Sequence, residues 1–211
     1  MIFRNIKTMA SLVMSTNNLL KIKKNQVQMM KDRGYTIPKS ERHLLQPGAN
    51  TYPEEFNMVY TRGDSNVYVH YIPQDGMDKV NKEAKSIAFP IIAEKINEGI
   101  NHVIIISNPF RYNYDKEIID LVDKELVEIE MFSYEFFLVD PTRHRKMPPF
   151  KILTPEEKQQ ELPDKKYSNY PRFQSGDPFV KWFNLKSGDV VRTEEKVSIN
   201  DQTIPFYRVL L

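Results

Sequence analysis

Acidic and basic side chains near residue 80 have the types that a metal-dependent nuclease uses. Asp78, Glu83 and Lys85 loosely follow the Asp…Glu-x-Lys pattern of such enzymes. That chemistry needs the carboxylate and the lysine on one strand face, two positions apart, so that both reach one metal ion and one scissile phosphate. The segment 78–97 instead predicts a helix, on which positions two apart point about 200° away from each other. The spacing therefore argues against nuclease activity.

No other pattern in the sequence supplies a catalytic group. The four histidines, His43, His70, His102 and His144, lie far apart and outside any His-x₃-His or His-Glu-x-x-His arrangement. The chain has no cysteine, which excludes a thiolate zinc site and a thiol nucleophile. Neither the Gly-x-x-x-x-Gly-Lys phosphate loop nor the Gly-x-Ser-x-Gly elbow occurs. We therefore expect no catalytic residue, no metal site and no cofactor.

The C-terminal residues predict a short helix. Asp177 is placed to cap free backbone N–H groups, and Pro178 suits the first helical position, so the helix should run to about residue 184. Three- and four-residue spacing puts its aromatic residues on one face, where we expect them to form the core of a small domain: Phe179, Trp182 and Phe183.

Two strands should follow this helix. Gly188 suits a turn that needs a positive φ. The runs 189–193 and 206–211 predict antiparallel strands joined through the polar stretch 194–203. Upstream, Thr154 and Glu157 form a capping-box pattern that predicts a helix to about Glu161.

The first 140 residues alternate predicted helices and strands, which indicates an α/β unit. The expected elements are a helix at 18–33, strands at 56–61 and 67–72 around a turn at 62–65, a helix at 78–97 kinked by Pro90, a strand at 102–107 buried on both faces, a helix at 115–124 and a strand at 127–132. In the first helix the apolar positions share one face: Leu19, Ile22, Val27 and Met30. We expect Lys21, Lys23 and Lys24 largely elsewhere, on a solvated face, with a phosphate-facing stripe as the alternative.

Charge is segregated along the 211 residues although the formal net charge is only +2. Lysines and arginines minus aspartates and glutamates give 9 − 2 = +7 for 1–50, 8 − 17 = −9 for 51–140 and 13 − 9 = +4 for 141–211. An acidic middle argues against a continuous DNA-binding face, so nucleic-acid contact should be local. No apolar run approaches the roughly 20 residues that cross a bilayer, and we expect no membrane partner.

Short motifs spread along the chain carry a resemblance to a known family. They are Lys31-Asp32-Arg33-Gly34-Tyr35, His144 to Pro148, Ile152-Leu153-Thr154, Tyr170-Pro171-Arg172-Phe173, Asp177-Pro178, Leu185 to Val191 and Tyr207-Arg208. In this order they resemble the fifth-largest subunit shared by the eukaryotic nuclear RNA polymerases, whose C-terminal part corresponds to a small subunit of the archaeal RNA polymerase. The chain departs from the family at Tyr170, where leucine is usual, at Asn184, where glycine is frequent, and at Thr193, where an aliphatic residue is expected. These departures suit a large cytoplasmic DNA virus or a divergent protist.

The resemblance implies a non-catalytic structural subunit of a multisubunit DNA-directed RNA polymerase. It implies a nuclease-like α/β jaw domain without a nuclease site over 1–140 and a small α+β assembly domain over 141–211. The latter would dock on the largest subunit, which holds the catalytic magnesium and aspartates. The residues assigned to the subunit interface are His144, Met147, Pro148, Pro171, Arg172, Asp177, Pro178, Gly188, Tyr207 and Arg208.

The jaw domain of the family lies near downstream duplex DNA. The loop after the strand 102–107 is either an ordinary solvated loop or a contact to phosphates through Asn108, Arg111 and Lys116. The basic run 143–146 would suit nucleic acid, but the resemblance favours a protein contact.

The partners would be the other polymerase subunits and DNA, without a homo-oligomer. The protein would be nuclear if cellular, and in the virion or host cytoplasm if viral. The alternatives are a free-standing nucleic-acid-binding or regulatory module, and the nuclease.

Overall fold

The computed structural model describes residues 16–41, 53–72, 90–107, 127–162, 166–174, 176–196 and 203–211. The chain divides into two compact units, Met1–Val139 and Asp140–Leu211. The helix predicted at 115–124 and the part of the 78–97 helix before Pro90 lie outside the described residues. Within the described ranges, no helix combines the length and apolarity needed to cross a bilayer.

A four-stranded sheet forms the centre of the N-terminal unit. Its strands are β1 (Met58–Arg62), β2 (Ser65–Tyr71), β3 (His102–Ser107) and β4 (Glu128–Ser133), side by side in that order. β1 and β2 form the predicted antiparallel hairpin, and β2, β3 and β4 run parallel. All four predicted strands are confirmed, and the parallel pairs give the mixed α/β architecture that the alternating pattern indicates.

β3 is covered on both of its faces, as its uninterrupted apolar sequence predicts. Val103 and Ile105 are almost fully buried in a cluster with Ile92, which belongs to the helical residues 90–97. Ile104 and Ile106 point to the opposite face and are fully buried too. The middle of the sheet is therefore enclosed by protein on each side.

The helix α1 (Thr16–Asp32) begins and ends within two residues of its predicted limits. The four predicted apolar residues are at most 7% exposed. Gly34 ends the helix at φ +80°, where its N–H donates to the carbonyl of Lys31 and the N–H of Tyr35 donates to that of Met30. This pair of bonds satisfies carbonyls that the helix would otherwise leave open, and glycine adopts the left-handed geometry without strain.

Lys23 contradicts the prediction of a solvated lysine face. Lys21 and Lys24 are exposed, but Lys23 is fully buried. It stands four residues after Leu19 and four before Val27, so its side chain lies in the same row as the apolar residues of α1. The four-residue spacing was the signal for its burial.

The buried ammonium group of Lys23 is held by a polar network. Its Nζ lies 2.6 Å from the Glu41 carboxylate and donates to the Gln26 Oε1 atom at 2.9 Å and to the Phe56 carbonyl at 2.9 Å. Burial lowers the pKa of Lys23 to about 8, and the Glu41 charge opposes that shift. The same Gln26 oxygen accepts from the hydroxyls of Tyr60 and Tyr71, which ties α1 to two strands of the sheet. The pairing keeps an expensive buried charge compensated.

A second charged network joins the end of α1 to the sheet. Arg33 donates to both carboxylate oxygens of Glu130 on β4, at 2.6 and 2.8 Å, and the Nε2 atom of His102 on β3 lies 2.8 Å from the same carboxylate. Burial alone would raise the pKa of Glu130, but the His102 and Arg33 contacts lower it to about 2. Arg62 bonds the Arg33 carbonyl and lies over the Tyr35 ring, so the motif 31–35 is fixed on several sides.

The C-terminal unit contains a three-stranded antiparallel sheet and two short helices. In chain order its elements are β5 (Phe150–Ile152), α2 (Pro155–Glu161), α3 (Pro178–Phe183), β6 (Val190–Lys196) and β7 (Thr203–Val209). The sheet order is β5-β6-β7. The helices confirm the predicted ones, and the capping box between Thr154 and Glu157 is formed. The predicted strands stopped too early toward their connection, because cross-strand pairs continue outward to Lys196 and Thr203, and the second prediction extended two residues beyond Val209, where β7 ends.

Apolar residues cover both faces of this small sheet. One cluster contains α3 and Val191, and the other contains Val190 and Val209 together with Leu162 after α2. Among the described residues, short 3₁₀ turns are found at Pro53–Phe56, Tyr134–Leu138, Pro141–Arg143 and Tyr167–Asn169.

The Lys23 and Glu41 pair predicts non-additive effects of substitution. Lys23→Met should lower the opening free energy of α1 by about 3–5 kcal/mol, because it leaves the Glu41 carboxylate buried without its cation. Adding Glu41→Gln removes that charge and should restore most of the loss. Native-state hydrogen exchange of α1 amides measures both values, with the exposed Lys24→Met as control. A double variant no more stable than Lys23→Met would contradict the assignment.

Glu130 predicts a loss of stability in acid. Its folded pKa of about 2 lies below the usual 4.5, so its stabilisation is complete above about pH 4.5 and disappears as the pH falls through 2. The shift corresponds to on the order of 3 kcal/mol. The difference in unfolding free energy between wild type and Glu130→Gln should therefore shrink between pH 5 and pH 2 in denaturant titrations. The exposed Glu135→Gln is the control, and a difference that does not vary with pH would refute the prediction.

Candidate functional site

The candidate site is the surface that the C-terminal unit builds around α3, the turn after it and β7. The start of α3 is fixed by Asp177, whose Oδ1 atom accepts from the Phe179 N–H at 2.8 Å, with Pro178 in the first turn. Phe179 is 5% exposed and Trp182 is fully buried. Both aromatic residues therefore belong to the core of the unit, as predicted, while Phe183 is half-buried at its margin.

Asn184 accounts for one departure from the family pattern. It ends α3 at φ 52° and ψ 45°, in the left-handed region, and its N–H donates to the carbonyls of α3. Glycine is the usual residue in this geometry and asparagine is the next most tolerant. Asparagine therefore supports a left-handed turn at a position where the resembled family often has glycine.

The turn after α3 forms backbone hydrogen bonds with Leu210, near the end of β7. Gly188 has φ +88°, and its N–H donates to the Leu210 carbonyl at 2.7 Å. The Leu210 N–H donates back to the Asp189 carbonyl at 3.0 Å. From the other side the Lys158 ammonium of α2 donates to the Gly188 carbonyl at 2.8 Å. Gly188 thus links the C-terminal residues to α2.

Tyr207 is also occupied within the unit. Its hydroxyl lies 3.4 Å from Glu161, which accepts from Arg192 at 2.9 Å, and its ring packs edge-on against Tyr170. Burial raises the pKa of Tyr207, and the Glu161 charge adds to the effect. Tyr170, the second departure from the family pattern, therefore contributes an aromatic contact.

The segment 171–173 covers the outer edge of β7 at its C-terminal end. The Val209 N–H donates to the Pro171 carbonyl at 2.9 Å, and the Phe173 N–H donates to the Val209 carbonyl at 3.0 Å. Arg172 pairs with Val209 in a parallel bridge. These bonds satisfy backbone groups that an open strand edge would present to solvent.

The residues assigned to the interface fall into two groups. Met147 and Asp177 have structural contacts, like Gly188 and Tyr207, and Pro148 is half-buried. The exposed members are His144, Pro171, Arg172, Pro178 and Arg208. The His144 Nδ1 atom accepts from the Lys146 N–H at 3.3 Å, which holds the basic run 143–146 in a turn.

Arg208 has the most organised setting among the exposed members. Its guanidinium carbon lies 5.8 Å from the centroid of the Phe173 ring and 5.7 Å from that of Phe206. The sequence assignment did not include these two aromatic residues. The alternation Ile204, Phe206, Arg208 along β7 was the available signal, since residues two apart share a strand face.

The remaining sites are the predicted DNA contact, a possible metal site and a groove beside α2. Asn108, Arg111 and Lys116 lie outside the described residues, so their DNA contact stays a prediction. Among the described residues, no group of three or more His, Asp or Glu side chains is arranged to hold a metal ion. A groove of about 520 Å³ lies beside α2, lined by Pro155, Lys158, Gln159, Leu162 and Tyr167. Lys158, its charged residue, is already bonded to Gly188.

The sequence is similar to a known family and to several curated proteins. Residues 139–210 match the family described as RNA polymerase Rpb5, C-terminal domain. The chain is 25% identical over 183 residues to the DNA-directed RNA polymerases I, II, and III subunit rpabc1 of Dictyostelium discoideum, covering 83% of this chain and 89% of that one. It is 28% identical to the DNA-directed RNA polymerases I, II, and III subunit RPABC1 of Caenorhabditis briggsae, in an alignment that covers 87% of this chain and 92% of that one. It is 24% identical to the DNA-directed RNA polymerase V subunit 5A of Arabidopsis thaliana, in an alignment that covers 87% of this chain and 84% of that one.

Asn184 makes a testable prediction about the turn. Asn184→Ala should lower the unfolding free energy of the C-terminal unit by about 1 kcal/mol, because alanine is strained at positive φ, whereas Asn184→Gly should stay within about 0.5 kcal/mol of wild type. Both variants lose the side-chain bond from Lys186, so the comparison isolates the backbone term. Fluorescence of Trp182, the single tryptophan, reports unfolding in urea. Equal losses in the two variants would contradict the prediction.

Proposed function

We propose that this chain, a divergent Rpb5-like protein by its family match and its relatives, is a non-catalytic structural subunit of a multisubunit DNA-directed RNA polymerase. The observation that carries the proposal is the extent of the similarity. The relatives align over 83% to 87% of the chain, whereas the family match alone covers 139–210. A free-standing module that reused only the assembly fold would resemble these subunits in the C-terminal unit alone.

The structure supports a scaffolding role through the contacts that its motif residues make. In the N-terminal unit Arg33 binds Glu130 and Gly34 ends α1. In the C-terminal unit Asp177 caps α3 and Gly188 fixes the last residues. These residues stabilise the fold, which suits a protein that contributes a shaped surface to an assembly.

The finer parts of the proposal concern the two units separately. The unit after residue 140 docks on the largest subunit through its exposed residues, among them His144, Arg172 and Arg208. The N-terminal unit serves as a jaw domain that supports downstream duplex DNA through Asn108, Arg111 and Lys116. Residues 51–140 carry a net charge of −9, and a broad acidic surface repels phosphate. The DNA contact of this unit is therefore confined to a small group of residues.

Catalysis in this proposal belongs to other subunits of the polymerase. Location follows from the assembly: the nucleus if the chain is cellular, and the virion or host cytoplasm if it is viral. The three relatives described above come from eukaryotes, which favours the nuclear alternative for a cellular source.

Purification from the native source tests the proposal. A tagged full-length chain should bring down several large polymerase subunits in fixed stoichiometry, identified and counted by mass spectrometry. The untagged source is the control for background. A stable lone monomer with tight DNA affinity would favour the free-standing nucleic-acid-binding module instead.

The nuclease alternative has its own assay. We expect no metal-dependent cleavage of duplex or single-stranded DNA by the purified chain, because the spacing of Asp78, Glu83 and Lys85 does not suit a shared metal. Cleavage that depends on added Mg²⁺ and is abolished by Glu83→Ala would overturn this part of the proposal.

A further inference from the structure

We propose that Arg208 is the carboxylate-binding centre of the docking surface and pairs with an acidic side chain of another polymerase subunit. This inference rests on the proposed function and names the chemistry of the partner at that site. The surface around it, called here the Arg208 surface, consists of Phe173, Ile204, Phe206 and Arg208.

The guanidinium group of Arg208 is held in place before any partner arrives. Phe206 lies two positions earlier on the same face of β7, and Phe173 comes from the segment beside the strand. Phe173 is itself fixed, because its N–H donates to the Val209 carbonyl and its ring stacks on Phe179 at 5.8 Å with an interplanar angle of 10°. Two rings that restrict a long side chain reduce the conformational entropy that binding must remove.

Among the residues that the structure describes, no ion pair neutralises the charge of Arg208. Arg33 pairs with Glu130 and Arg192 with Glu161. For Arg208, the described part of the chain contains no carboxylate within ion-pairing distance, and the side chain is exposed. A guanidinium presents a planar fork of donors that matches a carboxylate in two parallel hydrogen bonds. Its aromatic contacts leave that fork available.

The surroundings favour a protein carboxylate over a nucleic-acid phosphate. Ile204 is 47% exposed and Phe206 is half-buried, so the face is apolar around its cation. A phosphate backbone is bound by several cations together, whereas the Arg208 surface as defined above contributes one cation among three apolar side chains. Arginine among aromatic residues is instead the composition of the centre of protein interfaces.

The test uses the full-length tagged chain and the polymerase subunits that copurify with it, washed with increasing concentrations of NaCl. Arg208→Gln should weaken retention about 10- to 100-fold and release the subunits at lower salt. Arg208→Lys keeps the charge without the planar guanidinium, and its retention of the subunits should lie between that of wild type and that of Arg208→Gln. Lys166→Gln removes the same charge from an exposed position of the same unit, outside α3, the turn after it and β7, and should behave like wild type. Trp182 fluorescence checks that each variant is folded.

The outcomes separate the inference from the proposed function. Retention of the subunits by Arg208→Gln at wild-type salt resistance would overturn the inference and leave the proposed function intact. A wild-type chain that retains no polymerase subunit would overturn both. A variant that keeps its subunits but loses affinity for short duplex DNA would assign Arg208 to phosphate and also overturn the inference.

Discussion

The C-terminal unit depends on the burial of two adjacent valines that point to opposite faces of one strand. Val190 and Val191 on β6 are both fully buried, one in each of the two apolar clusters. A small unit buries a low fraction of its surface, and a central strand that is covered on both faces increases the apolar area removed from water. Removal of either cluster would leave one face of a three-stranded sheet open to water.

The polar contacts of the unit follow from this arrangement. α2 has no buried residue of its own and is held by charged side chains, including Lys158 and Glu161, that reach the sheet and the turn after α3. Gly188 then connects α2 to the last residues of the chain. Sequence motifs that read as a functional signature are in large part the capping and turn residues that hold helix, turn and strand together.

The N-terminal unit differs from the C-terminal unit in that it buries charged side chains. Lys23 with Glu41, and Arg33 with Glu130, both join α1 or its end to the rest of the unit. Buried pairs of this kind add little net stability over apolar residues, but their partners are costly to separate. Such pairs favour one register of α1 on the sheet over its neighbours, which suits a subunit whose surface must keep its shape.

The order and type of the elements could be read from the sequence, because they are set by local rules. Asp177 and Thr154 cap helices by bonds within one turn, and the apolar run of β3 predicts a strand enclosed on both sides. The ends of β6 and β7 were misjudged, since Glu194 to Lys196 are polar and pair only because the facing strand is present. The tertiary structure alone decided that Lys23 meets Glu41 and that Arg208 lies between Phe173 and Phe206. The physical reason is range: caps and periodicity act over a few residues, whereas charge pairing and ring contacts join residues that only folding brings together.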